Sequence, residues 1–361
     1  MRTKYVKIIK SKLKEGDPFW FLRTSAKMGG VLASAYLNKN VVGPVNVIVA
    51  PSWRCNSRCK MCDLSLRPSD GEMNLAEFKR IADQVQKLGC SVFSFLGGEP
   101  FVRKDMIEMI RYIKSKKLIA QVSTNIIALA DRKLARKLLE TDVDIITLSL
   151  DCMDPATYKR IRGVDQFKNV VKGIRNVVYY RKLLGKTTRL NVNLVILDEN
   201  INDIMKIIRF VKGLGVDLVT PYPVAELGDL KNEQSEKFNK KLVALYTRLR
   251  KLKGRESILD LSDDYMSYVI NRLTKDAKRI KCFAPFSDIH IDPFGNVFPC
   301  IYFLGKNKAV GNIRDMSIRE LWFSKKYNRL RKELANCDKC DAMCHLEPAF
   351  VFNKFWFPKR K

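Results

Sequence analysis

The chain has 361 residues, of which 46% are hydrophobic and 29% are charged, and its 67 Lys and Arg against 38 Asp and Glu give a formal net charge of +29. This apolar content excludes a disordered or collagen-like polymer, and no run reaches the roughly 18 consecutive apolar residues of a membrane-spanning helix. The length allows two domains, or one large α/β domain with an appendage.

Six apolar, strand-like runs alternate with amphipathic helical segments in the first two thirds of the chain. The strands are predicted at 45–50, 91–96, 118–123, 143–150, 189–196 and 216–220. Six such βα units in series predict an α/β fold with a parallel sheet that curls into a full or partial barrel.

Capping signals mark the starts of three helices. Asn74 precedes an apolar periodic segment and Glu77 follows it by three residues, which predicts a capping box. Asp105 and Glu108 repeat this pattern, and Asp154 followed by a proline predicts a third helix start.

The pattern changes in the last third of the chain. A long charged helix is predicted at 233–253, and the segment 288–300 predicts a hairpin that turns at 293–296. We place a boundary near residue 275. The expected parts are a basic lead-in over 1–43, a core barrel over 44–275, a small cysteine-rich domain over 276–346 and a basic aromatic tail over 347–361.

Cys55, Cys59 and Cys62 directly follow the first predicted strand. The basic start of the chain has no apolar segment that leads to a signal cleavage site, so we expect a cytoplasmic protein with reduced thiols. Three thiols this close can bind one metal centre, and on a four-iron cluster they leave one iron open for chemistry. The alternative is unlinked or zinc-binding thiols.

Polar residues follow the other predicted strands, at the rim where barrel enzymes gather their catalytic groups. They are Gly97, Gly98, Glu99 and Pro100 after the second strand, Thr124 and Asn125 after the third, and Asp151 after the fourth. The glycines leave backbone groups open to a ligand, and Glu99 can accept a hydrogen bond from an amine.

The run Cys55-x3-Cys59-x2-Cys62 followed by Gly97-Gly98-Glu99-Pro100 resembles the radical S-adenosylmethionine (SAM) superfamily over residues 44–225. The resemblance implies a partial (β/α)6 TIM-like barrel whose three cysteines hold a [4Fe-4S] cluster. SAM would chelate the open iron. An electron from a reductase or ferredoxin-type donor would cleave SAM to methionine and a 5′-deoxyadenosyl radical, which abstracts hydrogen from the substrate.

The same resemblance implies which residues bind SAM. The turn from Gly97 to Pro100 would hold the amino group of its methionine part. Arg162 matches the carboxylate-binding arginine of the family, and Asn193 would meet the ribose. The full implied set is Gly97, Gly98, Glu99, Pro100, Asn125, Ser149, Asp151, Arg162 and Asn193.

A second group of cysteines lies in the C-terminal part of the chain. Its members are Cys282, Cys300, Cys337, Cys340 and Cys344. Over residues 282–344 this pattern resembles the SPASM and twitch extensions of radical SAM enzymes, which carry auxiliary iron–sulfur clusters. Five cysteines are fewer than a complete SPASM pattern uses for two clusters. We therefore expect one auxiliary [4Fe-4S] cluster on the first four, with Cys344 as a competitor; the alternative is zinc on the last three with His345.

The positive charge indicates an anionic partner. Residues 1–42 contain nine Lys or Arg against two acidic residues, and the tail places aromatic residues among Lys354, Lys359, Arg360 and Lys361. This composition suits an anionic membrane surface; the alternative is that the aromatics pack against the barrel. A nucleic acid is a weaker expectation, because no RNA-binding module is recognisable.

We therefore expect a radical SAM enzyme that acts on a peptide or lipid-linked substrate, the classes associated with SPASM-type and related members of the family. The alternative is a non-catalytic iron–sulfur or zinc protein that binds an anionic membrane or nucleic acid. The expected location is the cytoplasm, with peripheral attachment to the membrane as the alternative.

Overall fold

The computed structural model describes residues 20–224, 235–253, 258–274, 280–304, 308–334, 337 and 343–356. Nine strands of this part form one sheet. They are β1 (Asn46–Val49), β2 (Val92–Phe95), β3 (Ile119–Thr124), β4 (Ile145–Ser149), β5 (Arg189–Ile196), β6 (Leu218–Pro223), β7 (Asp288–Ile291), β8 (Asn296–Phe298) and β9 (Gly311–Asn312). Their order across the sheet is β6-β5-β4-β3-β2-β1-β7-β8-β9.

Helices connect and flank these strands. In chain order they are α1 (Trp20–Leu37), α2 (Leu75–Lys87), α3 (Met106–Ser115), α4 (Arg132–Leu139), α5 (Pro155–Arg162), α6 (Phe167–Leu183), α7 (Ile204–Gly213), α8 (Glu236–Leu252), α9 (Asp263–Leu273), α10 (Ala284–Ser287), α11 (Ile318–Phe323), α12 (Lys325–Leu334) and α13 (Met343–Trp356). No described helix is both long enough and apolar enough to cross a bilayer.

Strands β1 to β6 pair in sequence order, and every pair is parallel. A helix follows each of the first five strands before the next one begins, as parallel crossover connections require. The predicted α/β fold with a partial (β/α)6 TIM-like barrel is confirmed. The six predicted strands are all present, and the fifth has the bounds that its apolar run predicts.

The two faces of the sheet differ in polarity. On the helix-facing side, Phe93 and Phe95 of β2 are fully buried, and their ring centroids lie 5.5 and 5.7 Å from that of Phe78 in α2. Successive strand residues point to opposite faces, so the alternate positions line the concave side of the barrel. Five neighbouring strands each place a polar residue on this side, namely Ser94, Gln121, Thr147, Asn191 and Thr220, alongside the apolar residues Ile145 and Leu218.

Two of the three predicted helix caps are present. Asn74 and Glu77 form the reciprocal capping box of α2, with both hydrogen bonds at 2.9 Å. Asp154 accepts a hydrogen bond from a backbone N–H at the start of α5. The capping prediction at Asp105 is wrong, because the Arg103 guanidinium binds its carboxylate at 2.9 and 2.7 Å.

The C-terminal part continues the central sheet. The predicted hairpin is confirmed as β7 and β8, which pair antiparallel, with Gly295 at φ +83° in the turn between them. Strand β7 also pairs in parallel with β1. The hairpin therefore extends the barrel sheet at its β1 edge. The boundary expected near residue 275 falls outside the described residues.

Helix α1 lies within the basic lead-in, where no helix was predicted. Its buried residues Val31 and Ala35 pack against Phe283, Phe286 and Phe352. Phe352 belongs to α13, and its ring stacks on that of Phe283 with centroids 4.8 Å apart. Helices α1 and α13, which are far apart in the sequence, therefore meet at one small apolar cluster. Of the tail aromatics, Phe352 is buried there and Phe350 packs against the main core; the side chains of Phe355 and Trp356, and residues 357–361, lie outside the described part.

Candidate active site and iron–sulfur centres

Cys55, Cys59 and Cys62 lie on the loop after β1, and all three are half-buried free thiols. Burial raises the pKa of the Cys55 thiol and raises the pKa of Cys62 to about 11, and charge repulsion from Cys59 adds to both effects. Within the described residues, no three His, Cys, Asp or Glu side chains converge as ligands of a single ion. An iron–sulfur cube takes its thiolates on separate irons, so its ligands need not converge in this way.

Two glycines allow the cysteine loop to approach its neighbours closely. A Cβ on Gly98 would fall within 3.0 Å of the Arg54 carbonyl oxygen, and a Cβ on Gly163 would fall within 3.0 Å of the Arg58 carbonyl oxygen. Gly163 also ends α5 with φ +70°, a conformation that favours glycine. The loop is therefore fixed between the turn after β2 and the end of α5.

Backbone hydrogen bonds secure the same contacts. The Arg58 N–H donates to the Arg162 carbonyl at 3.0 Å, and the Lys60 N–H donates to the Ile161 carbonyl at 3.0 Å. The Glu99 N–H donates to a loop carbonyl at 2.8 Å. These bonds hold the backbone on both sides of Cys59.

The carboxylate of Glu99 is buried and joins the ends of β2 and β3. It accepts hydrogen bonds from the Thr124 hydroxyl at 2.8 Å, the Asn125 N–H at 2.7 Å and the Phe101 N–H at 3.1 Å. Burial raises the pKa of Glu99 to about 7, and these donors oppose the rise. A carboxylate has about four acceptor positions, so Glu99 keeps room for about one further donor.

Asn125 connects the end of β3 to the cysteine loop. Its Nδ2 donates to Asn56 Oδ1 at 2.6 Å and to Ser57 Oγ at 3.1 Å, and it lies 3.8 Å from Cys55 Sγ. A donor beside a thiolate stabilises its negative charge. Asn125 can thus orient the cysteine loop and stabilise the thiolate form of Cys55.

Arg162 and Asp151 form a buried ion pair beside Cys59. Arg162 Nη1 also lies 3.6 Å from Cys59 Sγ. The Nε of Arg162 is buried and has no hydrogen-bond partner among the described residues. An anionic group such as the carboxylate of SAM would supply that partner, so this residue fits the cofactor that the sequence implies.

Ser149 and Asn193 complete the rim. They are register partners on the adjacent strands β4 and β5, and both are half-buried. All nine residues of the implied SAM-binding set are described. They lie on β4 and β5, in the turns after β2, β3 and β4, and at the end of α5, with Pro100 buried in the turn after Glu99. Their individual roles toward SAM stay predictions.

Two residues that support the site belong to no recognisable sequence pattern. Asn200 Nδ2 donates to the Asp151 and Val195 carbonyls, both at 2.8 Å, and its Oδ1 accepts from a backbone N–H at 2.8 Å. Glu72 accepts from Ser52 Oγ at 2.9 Å and from the Trp53 N–H at 2.8 Å, just before the first cysteine. Neither residue is part of a motif, and each acts through hydrogen bonds to other segments of the chain.

The described part of the structure includes three cysteine side chains of the second group. Cys300 is buried and its sulfur accepts a hydrogen bond from the Tyr302 N–H at 3.4 Å, while Cys282 and Cys337 are half-buried. Cys340 and the side chains of Cys344 and His345 lie outside the described residues. The assignment of ligands to an auxiliary cluster therefore stays a prediction.

Two family models match the chain. The Radical SAM superfamily model matches residues 49–211, and the SPASM model, described as an iron–sulfur cluster-binding domain, matches residues 282–345. The second match confirms that the C-terminal part is an iron–sulfur domain. Together the matches support a SAM-binding [4Fe-4S] cluster, an auxiliary cluster and SAM as cofactors.

Curated relatives match over much of the chain. The cofactor-modifying protein of tungsten-containing aldehyde ferredoxin oxidoreductase from Pyrococcus furiosus is 26% identical over 310 residues, which cover 77% of this chain and 80% of that protein. A probable GTP 3′,8-cyclase from Methanocaldococcus jannaschii is 27% identical over 210 residues, 55% of this chain and 68% of the relative. Several other GTP 3′,8-cyclases match over about half of their own length.

Among solved structures, Streptococcus suis SuiB bound to S-adenosylmethionine is similar, with a TM-score of 0.66 and 20% identity over 91% of this chain and 78% of SuiB. SuiB bound to its precursor peptide SuiA matches with a TM-score of 0.66 and 19% identity over 87% of this chain and 72% of SuiB. These likenesses show that the fold is shared.

Proposed function

Because this chain belongs to the radical SAM superfamily and carries a SPASM iron–sulfur domain, we propose that it reductively cleaves SAM and abstracts a hydrogen atom from a peptide or lipid-linked substrate. The observation that carries the proposal is the convergence of Asn125, Arg162 and the Glu99 turn on the loop of the three cysteines. This arrangement suits a cluster with one open iron and an amino-acid ligand beside it.

A reduced [4Fe-4S] cluster held at this site would supply the electron that SAM cleavage needs, and SAM would supply the group that removes hydrogen from the substrate. The protein positions the reactants. Cys55, Cys59 and Cys62 would hold the cluster. Arg162 would bind the SAM carboxylate through its buried Nε, and Asp151 keeps the guanidinium in place. Glu99 would accept a hydrogen bond from the amino group of SAM at its remaining acceptor position.

The concave face of the barrel bears on the substrate class. Ser94, Gln121, Thr147, Asn191 and Thr220 give it uncharged hydroxyl and amide groups, and the Thr220 hydroxyl donates to Asn191 Oδ1 at 3.1 Å. Such groups bind amides and hydroxyls better than hydrocarbon. We therefore propose that the reacting part of the substrate is polar, such as a peptide segment or the head of a lipid-linked molecule. The peptide bound by SuiB supports the first of these.

Substitution of one cluster cysteine tests the proposal. Cys59→Ala should abolish 5′-deoxyadenosine formation by the anaerobically reconstituted, reduced protein, and should remove about four of the eight irons expected for two clusters. Cys90→Ala is the matched control, because Cys90 is a buried thiol beside β2 and outside both cysteine groups. Unchanged nucleoside formation by the Cys59 variant would refute the assignment.

The sequence left a non-catalytic metal protein as the alternative. The family matches and the relatives favour the enzyme. Metal analysis combined with a SAM-cleavage assay separates the two, because bound iron or zinc without SAM cleavage would be the signature of the non-catalytic protein.

A further inference from the structure

Arg67 contacts both ends of the loop that carries the three cysteines. Its Nη2 pairs with the Asp63 carboxylate at 2.8 Å, and its guanidinium lies over the Trp53 ring, 5.5 Å from the ring centroid. Trp53 stands two residues before the first cysteine, and Asp63 directly follows the third. Only 13% of the Arg67 side chain is exposed, so solvent screens these contacts less than it screens a surface pair. The cation thus joins the two ends of the loop.

The same guanidinium reaches the C-terminal iron–sulfur domain. Arg67 Nη1 donates to the carbonyl of Leu304 at 3.2 Å, across 237 residues of sequence. Leu304 is buried and lies four residues after Cys300, a predicted ligand of the auxiliary cluster. The planar guanidinium presents its donors in a fixed fork, so it can bind the carboxylate and the carbonyl at once. Arg67 therefore links the cysteine loop to the segment around Cys300.

Apolar packing joins the same two segments. Trp53 is 2% exposed and shares one buried cluster with Ala50, Phe298 and Leu304. Phe298 lies two residues before Cys300, so residues on both sides of this cysteine belong to the cluster. Protein interiors are close-packed, and a displacement on one side of such a cluster is transmitted to the other side. The position of the cysteine loop thus depends on the C-terminal domain.

We propose that Arg67 is a positioning residue for the SAM-binding cluster, because it holds the cysteine loop against the segment around Cys300. The proposal rests on the proposed function, since it needs a cluster on the three cysteines of the loop. Arg67 acts through its neighbours Asp63 and Trp53, and its loss should let the loop take several positions. The groups of a site must stay within about 0.5 Å of their productive geometry, so a looser loop weakens SAM binding beside the cluster.

Arg314 provides the matched control. Its Nε pairs with the Glu77 carboxylate at 2.7 Å, and its Nη2 donates to the Gly71 carbonyl at 3.0 Å. Like Arg67, it joins the C-terminal domain to the barrel through one carboxylate and one carbonyl. Its barrel partners lie outside the cysteine loop. Loss of the Arg314 contacts should therefore loosen the contact between the two parts of the chain without moving the loop.

Hydrogen exchange, measured by mass spectrometry on the full chain without clusters, tests the position of the loop directly. Arg67→Met keeps an apolar side chain beside Trp53 but removes the ion pair and the bond to Leu304. The amides of residues 58–62 should exchange at least about tenfold faster than in the wild type. In Arg314→Met they should stay within about twofold of the wild type. Arg67→Lys is a milder variant and should give a smaller increase, because one ammonium cannot reproduce the planar fork.

A double variant separates positioning from charge. Arg67→Met alone leaves the Asp63 carboxylate without its cation beside the third cysteine. Adding Asp63→Asn removes that charge but does not restore the link to Leu304. The faster exchange of residues 58–62 should therefore persist in the double variant.

Electron paramagnetic resonance tests the effect on the site in the anaerobically reconstituted, reduced protein. SAM should change the spectrum of the cluster in the wild type and in Arg314→Met. The SAM concentration at the midpoint of this change should rise at least about tenfold in Arg67→Met. A residue that only stabilises the fold would leave the midpoint unchanged in the folded variant.

Four outcomes would overturn the proposal. They are wild-type exchange in Arg67→Met, an equal increase in Arg314→Met, full recovery in the double variant, and an unchanged midpoint for SAM. If Arg67→Met does not fold, the same comparisons apply to Arg67→Lys. Failure of the proposed function is distinguishable, because the wild type would then form no 5′-deoxyadenosine while the exchange measurements on the cluster-free chain keep their pattern.

Discussion

Gly163→Ala should disturb the cysteine loop through backbone contacts alone. Gly163 ends α5 with φ +70°, and its N–H donates to the Lys159 carbonyl at 2.9 Å. A Cβ at this position would fall within 3.0 Å of both the carbonyl oxygen and the Cβ of Arg58. The neighbour is backbone rather than the end of a flexible side chain, so the segment that carries Cys59 must move.

Two contributions determine how far Gly163→Ala lowers the free energy of unfolding. An alanine in the left-handed region costs about 1 to 2 kcal/mol. Movement of the loop also weakens the hydrogen bonds from the Arg58 and Lys60 amides to the end of α5, each of which contributes about 1 kcal/mol. We expect Gly163→Ala to lower the free energy of unfolding by about 3 to 4 kcal/mol.

Gly185→Ala is the control that has the backbone strain of a positive φ without the steric contact present at Gly163. Gly185 has φ +60°, but nothing lies within 4 Å of an added Cβ. This variant should therefore lose only about 1 to 2 kcal/mol. Anaerobic denaturation in guanidinium chloride measures both free energies, and iron content with electron paramagnetic resonance measures assembly of the SAM-binding cluster. Only Gly163→Ala should lose part of that cluster.

Equal free energies of unfolding for the two variants would refute the argument that the loop is held by close packing on α5. A fully assembled cluster in Gly163→Ala would refute the step from backbone displacement to the position of Cys59.

Three further predictions concern buried polar groups. Arg162→Met leaves the Asp151 carboxylate buried without its cation and should lower the free energy of unfolding by about 3 to 5 kcal/mol. Adding Asp151→Leu should restore part of this in urea denaturation, and no recovery would contradict the pairing. Asn200→Ala removes three hydrogen bonds at the Asp151 strand end. It should cost about 2 to 3 kcal/mol and weaken SAM binding in calorimetry, whereas unchanged affinity would argue against a role in the site. Burial raises the pKa of Asp288 to about 7, so stability due to its neutral form is present below about pH 4 and is lost as the pH rises through about 7. Asp288→Asn should therefore gain about 4 kcal/mol relative to the wild type between about pH 4 and pH 8, and parallel stability curves would contradict this.

Local sequence rules predict local structure where one residue has one available partner. The capping box of α2 is an example, because Asn74 and Glu77 bond to each other, and Arg314, which also binds the Glu77 carboxylate, comes from a segment distant in sequence. Asp105 has the same sequence pattern, but Arg103 two residues away forms two charge-assisted hydrogen bonds with its carboxylate. The Arg103 guanidinium and the backbone N–H groups of α3 compete for the Asp105 carboxylate, and the capping pattern does not show which of them binds it.

The motifs at strand ends also predict most of the site, because parallel strands bring their C-terminal ends together. This rule brings Glu99, Asn125 and Asp151 around the cysteine loop. It does not identify Glu72 or Asn200, whose hydrogen bonds join segments that meet only after folding. Helix α1 was missed for a different reason, since small and polar residues such as Ser25, Gly29 and Gly30 interrupt its apolar positions and leave no clear amphipathic pattern.

The pairing of β7 with β1 has a consequence for synthesis of the chain. Until residues 288–291 leave the ribosome, β1 exposes one row of backbone donors and acceptors that the finished protein covers. The nascent barrel would therefore have an unpaired strand edge, able to pair with another chain, through most of its translation. A chaperone that binds this exposed edge until β7 is synthesised would protect the chain from pairing with another nascent polypeptide there.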